Sequence, residues 1–243
     1  MKRTLVIGDI HGGLIALKQV MERAEVTTSD TLIFLGDYVD GWSESYGVIE
    51  FAMQLAQQQN CIVLKGNHDD MCQEWLTTGE YNESSYNHGG KATLQSYAHL
   101  SATDKHKHLQ FYQQMQYYFV DDRNRLFLHA GFISQHGPHK EHYQSNLIWD
   151  RSLWEMAAAI DKTLSPDSPY FPKRLKLFEE IYIGHTPTTN YGVYEPMNIF
   201  NLWNLDTGAA FNGKLSLMDV DTKQLWQSDI VRSLYPNEAG RVR

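Results

Sequence analysis

Residues 4–12 read TLVIGDIHG, an apolar run that stops at a glycine and is followed by an aspartate and a histidine. The same order returns at 31–41 as TLIFLGDYVDG and at 61–69 as CIVLKGNHD. Apolar residues at helical spacing fill the stretches 14–24 and 48–56 between these runs. Strand, loop and helix therefore alternate, and this order predicts a βαβ beginning with a largely parallel sheet.

Helical and polar patterns replace this alternation beyond about residue 70, before strand-like runs return. No internal repeat or low-complexity tract interrupts them. We predict an α/β protein with a single domain over residues 1–243 and a mainly helical insertion at about 70–120. The helical patterns cover 71–78, 92–100 and 102–117, and the later strands 126–128, 181–183, 199–205, 215–220 and 224–230.

Composition limits the class of protein further. The chain has 243 residues, of which 42% are hydrophobic, and it contains no run of about 18 apolar residues and no signal peptide. Lysine and arginine total 21 against 29 acidic residues, and the net charge of −8 argues against a general nucleic-acid binder. The two cysteines, Cys61 and Cys72, form no disulfide framework. We therefore expect a reduced, cytoplasmic protein that binds neither nucleic acid nor membrane.

Side chains that bind metals follow the strand-like runs at the points where the runs end. Because the carboxyl ends of parallel strands face one crevice, these loops can converge. Carboxylate, imidazole and amide oxygen together suit manganese, iron or zinc better than calcium. We predict two divalent ions, with manganese as the first choice and iron, zinc or cobalt as alternatives. One ion is assigned to Asp9, His11 and Asp37, and the other to Asp37, Asn67, His129 and His185, with Asp37 bridging.

Five short motifs occur in order along the chain: GDIHG at 8–12, GDYVDG at 36–41, GNHD at 66–69, HAG at 129–131 and GHT at 184–186. In this order they resemble the calcineurin-type metallophosphoesterases, and most closely the serine/threonine phosphoprotein phosphatases of the compact bacterial and bacteriophage lambda type. The resemblance covers nearly the whole chain. It implies a four-layer α-β-β-α sandwich of two mixed sheets flanked by helices, the metallophosphatase fold.

The resemblance also implies how individual residues work. Two ions about 3.5–4 Å apart activate a bridging water that attacks phosphorus. His68 acts as the general acid that protonates the leaving group, and Asp40 orients and charges its imidazole. Arg151 matches a phosphate-binding arginine, whose planar guanidinium fork suits that ligand.

Two positions depart from the family pattern beside the predicted site. Gly41 follows Asp40 where the family carries a phosphate-contacting arginine, and Lys65 stands where the phage pattern has another arginine. Lysine keeps the positive charge without the bidentate geometry, so Lys65 is a candidate phosphate contact. Asn87, in an Asn/Gly-rich stretch, is either a further contact at the rim of the crevice or part of a helix boundary.

These residues predict a metal-dependent phosphatase that hydrolyses phosphate monoesters, with phosphoserine or phosphothreonine of proteins as the first expected substrate. The absent arginine at Gly41 leaves open an alternative, a small-molecule hydrolase acting on dinucleoside polyphosphates such as diadenosine tetraphosphate. A third interpretation is a regulatory metal-binding module without turnover, against which the presence of both His68 and Asp40 argues. The expected partner is a phosphoprotein or a small phosphoester substrate. Since no partner domain is visible, we expect a monomer.

Overall fold

The computed structural model describes residues 2–81, 83 and 86–241, and its strands form two mixed sheets of five. The first sheet contains β1 (Thr4–Ile7), β2 (Thr31–Phe34), β3 (Cys61–Val63), β9 (Ser216–Asp219) and β10 (Leu225–Gln227), in the order β10-β9-β1-β2-β3. The second contains β4 (Tyr118–Val120), β5 (Arg125–Leu128), β6 (Glu180–Ile183), β7 (Met197–Ile199) and β8 (Leu202–Asn204), in the order β4-β5-β6-β8-β7.

Parallel strands form the centre of both sheets. In the first, β1, β2 and β3 run parallel and are joined by α1 (Leu14–Arg23) and α2 (Ser45–Gln58), as the alternating patterns predict. In the second, β5, β6 and β8 run parallel. The remaining strands pair antiparallel with these. Within each sheet the carboxyl ends of the parallel strands therefore lie at one edge.

Side chains along the strands alternate between two packed layers, as the period of two in a β-strand requires. Leu5 and Ile7 of β1 join the hydrophobic cluster that contains α1 and α2, whereas Val6 joins a cluster between the two sheets. In that central cluster the rings of Phe127 and Tyr182 stack with centroids 4.8 Å apart. The core thus holds the two sheets face to face, with their carboxyl ends exposed to a common crevice.

Helices cover the two outer faces. On the first sheet α3 (Asn67–Thr78) packs against α5 (Ala102–Gln114), and on the second α7 (Ser152–Ala159), which was not predicted, buries Trp154. This order of helix, sheet, sheet and helix confirms the predicted four-layer sandwich. None of the described helices has the length and apolar character needed to cross a membrane. The shorter helices are α4 (Lys91–Ser96), α6 (Asn146–Trp149) and α8 (Val231–Leu234).

Two predicted elements differ from the structure. The strand predicted at 199–205 is a hairpin of β7 and β8 that turns at Phe200, where φ is +56°. Asn201 in that turn donates its side-chain amide to three backbone carbonyl oxygens, at 2.9, 2.8 and 3.3 Å, and so supports the reversal. The helix predicted at 102–117 ends at Gln114, because the β-favouring residues that follow pair with β5 as strand β4.

Candidate active site

The predicted metal ligands lie in the loops that follow the parallel strands. All six side chains are buried, with no more than 7% of any residue exposed. The two sheets therefore bring polar groups from distant parts of the sequence to one edge. Asp9 and His11 follow β1, Asp37 follows β2, Asn67 follows β3, His129 follows β5 and His185 follows β6.

One cluster of donor atoms has the spacing of a metal site. His129 Nε2 lies 3.2 Å from His185 Nδ1, and Asn67 Oδ1 lies 3.1 and 2.9 Å from these two nitrogens. Asp37 Oδ1 is 3.4 Å from His129 Nε2. Ligands bound about 2.1 Å from one ion are roughly 3.0–3.4 Å apart at octahedral or tetrahedral angles. His129 Nδ1–H donates to the Leu35 carbonyl oxygen at 2.9 Å, which leaves the Nε2 lone pair for an ion.

A second cluster shares Asp37 with the first. His11 Nε2 lies 3.4 Å from Asp37 Oδ2 and 3.9 Å from Asp9 Oδ2. His11 Nδ1–H donates to the carbonyl oxygens of Val39 and Asp40, at 3.0 and 2.8 Å, and again leaves Nε2 free to ligate. The Asp37 carboxylate therefore faces both clusters with different oxygens, which is the geometry that a bridging ligand requires.

Two buried atoms of the predicted ligands lack a hydrogen-bond partner among the described residues. These atoms are Asp9 Oδ1 and His185 Nε2. Burial, together with neighbouring carboxylates, raises the pKa of Asp9 and Asp37 well above the usual range. Burial lowers the pKa of His129 to about 3. Neutral imidazoles and crowded carboxyl groups that face one another fit bound divalent cations, which would offset the buried negative charge.

The backbone is strained at the same positions. His11, Asp37, Asp40 and His185 have φ between +50° and +67°, the left-handed region that residues with a side chain rarely adopt. Such residues cost about 1–3 kcal/mol each and persist where the surroundings impose them. At Gly184 an added Cβ would lie 2.0 Å from Asp9 Oδ1, so the loop after β6 approaches that carboxylate closely. The fold holds these ligands in place at a cost in stability.

His68 and Asp40 form a buried pair next to the clusters. His68 Nδ1–H donates to Asp40 Oδ2 at 2.8 Å. Burial raises the pKa of Asp40 to about 6, and hydrogen bonds from Thr93 and Tyr81 act in the opposite direction. Thr93 Oγ1 donates to Asp40 Oδ1 at 2.6 Å, and the Tyr81 hydroxyl lies 2.8 and 2.9 Å from the two carboxylate oxygens. Both oxygens of the Asp40 carboxylate therefore have hydrogen-bond partners.

Three residues of this site were missed by sequence reasoning. Tyr81 and Thr93 come from the helical segment, and no pattern in the sequence connects them with Asp40. Asp69 is fully buried, and its carboxylate accepts from the backbone N–H groups of Asp37 and Gly66, both at 2.7 Å. It therefore joins the loops after β2 and β3, a role that its position in the GNHD motif could have indicated.

A cavity of about 370 Å³ is lined by Asp37, Asn67 and His185 of the clusters and by His68. Arg151, predicted as a phosphate contact, lines it, and the aromatic side chains of Trp149 and Phe211 form part of its wall. Trp149 is 44% exposed, so its ring is accessible from the crevice. The lining residues are Asp37, Asn67, His68, Met71, His88, Trp149, Arg151, His185, Pro187, Asn190, Phe211 and Arg241.

The other two candidate phosphate contacts lie away from this cavity. Lys65 is buried, and its Nζ donates to Gln73 Oε1 at 2.7 Å and lies 5.4 Å from the centre of the Tyr117 ring. The Lys65 ammonium group therefore binds to a side chain of α3. Asn87 is exposed and lines a separate groove beside Ser43, while its neighbour His88 lines the cavity. The structure brings neither Lys65 nor Asn87 to the cavity wall.

The fold and the paired donor clusters define a metallophosphoesterase. The family model described as calcineurin-like phosphoesterase matches residues 2–218, and the chain belongs to this family. It is accordingly a hydrolase of the phosphoesterase type, a family that implies divalent metal ions. The predicted superfamily is confirmed.

The names of curated relatives are more specific than the description of the family. The chain is 26% identical over 227 residues to the asymmetrical bis(5′-nucleosyl)-tetraphosphatase PrpE of Oceanobacillus iheyensis, a match that covers 87% of this chain and 86% of the relative. It is 28% identical over 229 residues to the protein of the same name from Bacillus thuringiensis strain Al Hakam, with 88% of each chain covered. These names do not support the predicted resemblance to phosphoprotein phosphatases in particular.

Solved structures share the fold. A protein provisionally described as a diadenosine tetraphosphatase matches with a TM-score of 0.64 at 15% identity, over 93% of this chain and 92% of that one. The cold-active protein-tyrosine phosphatase of a Shewanella species matches with a TM-score of 0.61 at 14% identity, over 94% of this chain and 81% of that one. At such identities the likeness concerns the fold alone.

Proposed function

We propose that the protein is a two-metal hydrolase of dinucleoside polyphosphates, acting on bis(5′-nucleosyl) tetraphosphates, rather than a protein phosphatase. The observation that carries this proposal is the wall of the cavity, where Trp149 and Phe211 lie beside the ligand clusters. Aromatic faces stack on nucleobases, an interaction that a phosphoserine side chain cannot make. The names of the curated relatives point to the same substrate class.

The two clusters would hold the ions as the sequence analysis assigned them. Asp9, His11 and Asp37 would hold one, and the other would lie between Asp37, Asn67, His129 and His185, with manganese as the first metal to test. When bound, the ions supply a nucleophilic water at neutral pH and neutralise charge on the phosphoryl oxygens. Arg151, on the cavity wall, would bind a phosphate group through its planar guanidinium.

His68 would protonate the leaving oxygen. Its Nδ1–H is held by Asp40, which leaves Nε2 for the cavity that the imidazole lines. Burial lowers the pKa of His68, so the ring is neutral at pH 7, and the negative charge of a bound phosphate chain favours its protonation. In the imidazolium form that the bound phosphate chain favours, Nε2 also carries a proton. As the water oxygen bonds to phosphorus and loses a proton to solvent, the bridging P–O bond breaks and the Nε2 proton passes to the departing oxygen.

A phosphoanhydride suits this acid better than an alkyl phosphate does. The group that leaves a dinucleoside polyphosphate is itself a phosphate with a pKa of about 6, so it departs at neutral pH with little protonation. A serine alkoxide would need a full proton from His68, whose burial disfavours the charged imidazolium. Hydrolysis of an anhydride therefore depends less on this acid than hydrolysis of a serine phosphate does.

A substrate comparison with manganese-loaded protein tests the proposal. We expect kcat/KM for diadenosine tetraphosphate to exceed that for a phosphoserine peptide by roughly a hundredfold, because only the nucleotide uses the aromatic wall. Initial rates of both reactions under the same conditions measure this. A preference for the peptide would identify a serine/threonine protein phosphatase instead. Two bound ions without hydrolysis of either substrate would identify a regulatory module.

The Asp40 pair predicts a dependence on pH. Since the carboxyl group has a pKa of about 6, it is ionised at pH 7 and becomes protonated as the pH falls through 6, so activity should fall on that side. Tyr81→Phe removes a donor to the ionised form, which raises the pKa and moves the acidic limb of kcat/KM upward by roughly half to one pH unit. Tyr170→Phe, at an 86% exposed position, is the control. Coincident profiles of wild type and Tyr81→Phe would contradict the role given to Tyr81.

A further inference from the structure

The cavity wall contains an arginine from the far end of the chain. Arg241 lines the cavity beside Arg151 and Phe211, although it lies more than two hundred residues from the loop that carries Asp40. Its Cγ lies 3.7 Å from the position that a Cβ would take on Gly41 and 3.0 Å from the corresponding position on Gly89. The stem of Arg241 therefore crosses the space left open by these two glycines.

Gly41 cannot itself supply a side chain to this space. A Cβ at Gly41 would lie 2.8 Å from the carbonyl oxygen of His11, a backbone atom that accepts a hydrogen bond from the Trp42 N–H at 2.9 Å. The family pattern has an arginine at this position, and the chain here has none. Arg241 brings a guanidinium group to the same region from another part of the fold.

The segment that carries Arg241 is anchored to two loops through Tyr235, Glu238 and the backbone of Arg241 itself. Glu238 accepts hydrogen bonds from the backbone N–H and the hydroxyl of Ser43, at 2.9 and 2.6 Å. The Tyr235 ring stacks on Trp42 with centroids 5.3 Å apart. The backbone N–H of Arg241 donates to the Ala210 carbonyl oxygen at 2.9 Å. The segment is thus tied to the loop after β2 and to the loop after β8.

The guanidinium group of Arg241 has hydrogen-bonding capacity to spare. Its Cζ lies 5.3 Å from the centre of the Phe211 ring, so one face is packed. Its Nε is buried and has no hydrogen-bond partner among the described residues. A guanidinium carries five N–H donors in one plane, and a buried donor without an acceptor is costly. A ligand with several anionic oxygens in the cavity would satisfy it.

The charge of Arg241 acts on the site. It is among the causes that lower the pKa of His11 and His68, and it opposes the rise in the pKa of Asp37 and Asp40 caused by burial. Since the charge of Arg241 is close enough to shift these pKa values, it would also attract a phosphate bound beside the same groups. The cavity therefore offers two arginines in addition to the positions for ions.

We propose that Arg241 is a substrate-binding residue that grips the phosphate chain together with Arg151 and takes the place of the arginine absent at Gly41. The anchored segment 235–241 is then part of the active site. The choice of a phosphate chain over a single phosphate rests on the proposed function.

The test uses imidodiphosphate, a hydrolysis-resistant and nucleoside-free anion, bound to manganese-loaded protein and followed by calorimetry. We expect Arg241→Gln to raise the Kd at least roughly tenfold, since it removes charge-assisted hydrogen bonds while keeping most of the stem. The Kd of Arg241→Lys, which keeps the charge without the planar fork of N–H donors, should lie between those of wild type and Arg241→Gln. Arg123→Gln is the control, because Arg123 is 69% exposed and paired with Asp221 on the surface.

The outcomes separate this inference from the proposed function. If Arg241→Gln and Arg241→Lys, with melting temperatures equal to that of wild type, bind imidodiphosphate as wild type does, the inference is wrong even where diadenosine tetraphosphate is hydrolysed. If wild type hydrolyses no dinucleoside tetraphosphate but Arg241→Gln still weakens the binding of imidodiphosphate, the proposed function fails and the inference holds. With both correct, Arg241→Gln should also lower kcat/KM for diadenosine tetraphosphate more than for p-nitrophenyl phosphate.

Discussion

Asp37→Asn is expected to lower kcat/KM by roughly a thousandfold or more and to reduce the metal content of the protein. Asp37 is the residue whose two oxygens face different clusters, one toward His11 and one toward His129, both at 3.4 Å. An asparagine has nearly the same shape but offers one neutral oxygen and no charge, so it can no longer ligate on both sides. Rates on diadenosine tetraphosphate and metal analysis by mass spectrometry measure the two effects.

Asp70→Asn provides a matched control for this substitution. Asp70 is on the same helix as His68, but its side chain is 42% exposed and lies 3.6 Å from Lys65, outside the cavity lining. We expect it to keep both metal content and rate close to those of wild type. If Asp37→Asn retained two ions and the full rate, the assignment of Asp37 as a bridging ligand would have to be given up.

His68→Asn is expected to have an effect that depends on the leaving group. On a substrate with a poor leaving group, such as an alkyl phosphate, the loss of the acid should cost roughly 10²–10⁴ in kcat. On diadenosine tetraphosphate the loss should be smaller by about an order of magnitude or more, because the departing phosphate has a pKa of about 6 and needs little protonation. Parallel rates of wild type and variant on both substrates measure the difference.

Metal analysis of His68→Asn distinguishes an acid from a ligand. A ligating atom of His68 lies within 4.8 Å of those of His11 and Asp37, so its position alone does not separate the two roles. As a general acid oriented by Asp40, it should leave the metal content unchanged when replaced. Loss of an ion in His68→Asn would reassign it as a ligand. His106→Asn, on the exposed side of α5, is the control for loss of an imidazole.

The grouping of the predicted metal ligands could be foreseen because these residues are adjacent in sequence to strand ends. An apolar run that stops at glycine marks the end of a buried strand, and the next one to four residues necessarily enter the loop at that edge of the sheet. Asp9, Asp37 and His185 all obey this local rule. Their convergence also needed parallel central strands in each sheet and the packing of the two sheets face to face, with the carboxyl ends of those strands at one edge.

Residues that act on the site from other elements could not be predicted in this way. Tyr81 and Thr93 reach Asp40 only because the helical segment at 70–120 packs beside the loop after β2. Lys65 precedes a ligand loop, yet its side chain turns toward Gln73 and the Tyr117 ring, since a strand-end residue can face either side. The predictions of a monomer, of a cytoplasmic location and of no contact with nucleic acid stay predictions.

Sequence alone was enough to predict the family, which the match over residues 2–218 confirms, and to predict a ligand set and an acid pair, because each of these depends on residues close to a strand end. The cavity wall, the support of Asp40 and the position of Arg241 follow from contacts between elements far apart in the chain. Arg241 and Gly41 are brought together by the packing of the C-terminal segment on Trp42 and Ser43. Neither hydrophobic periodicity nor a short motif encodes such a contact, since both report on neighbours within a few residues.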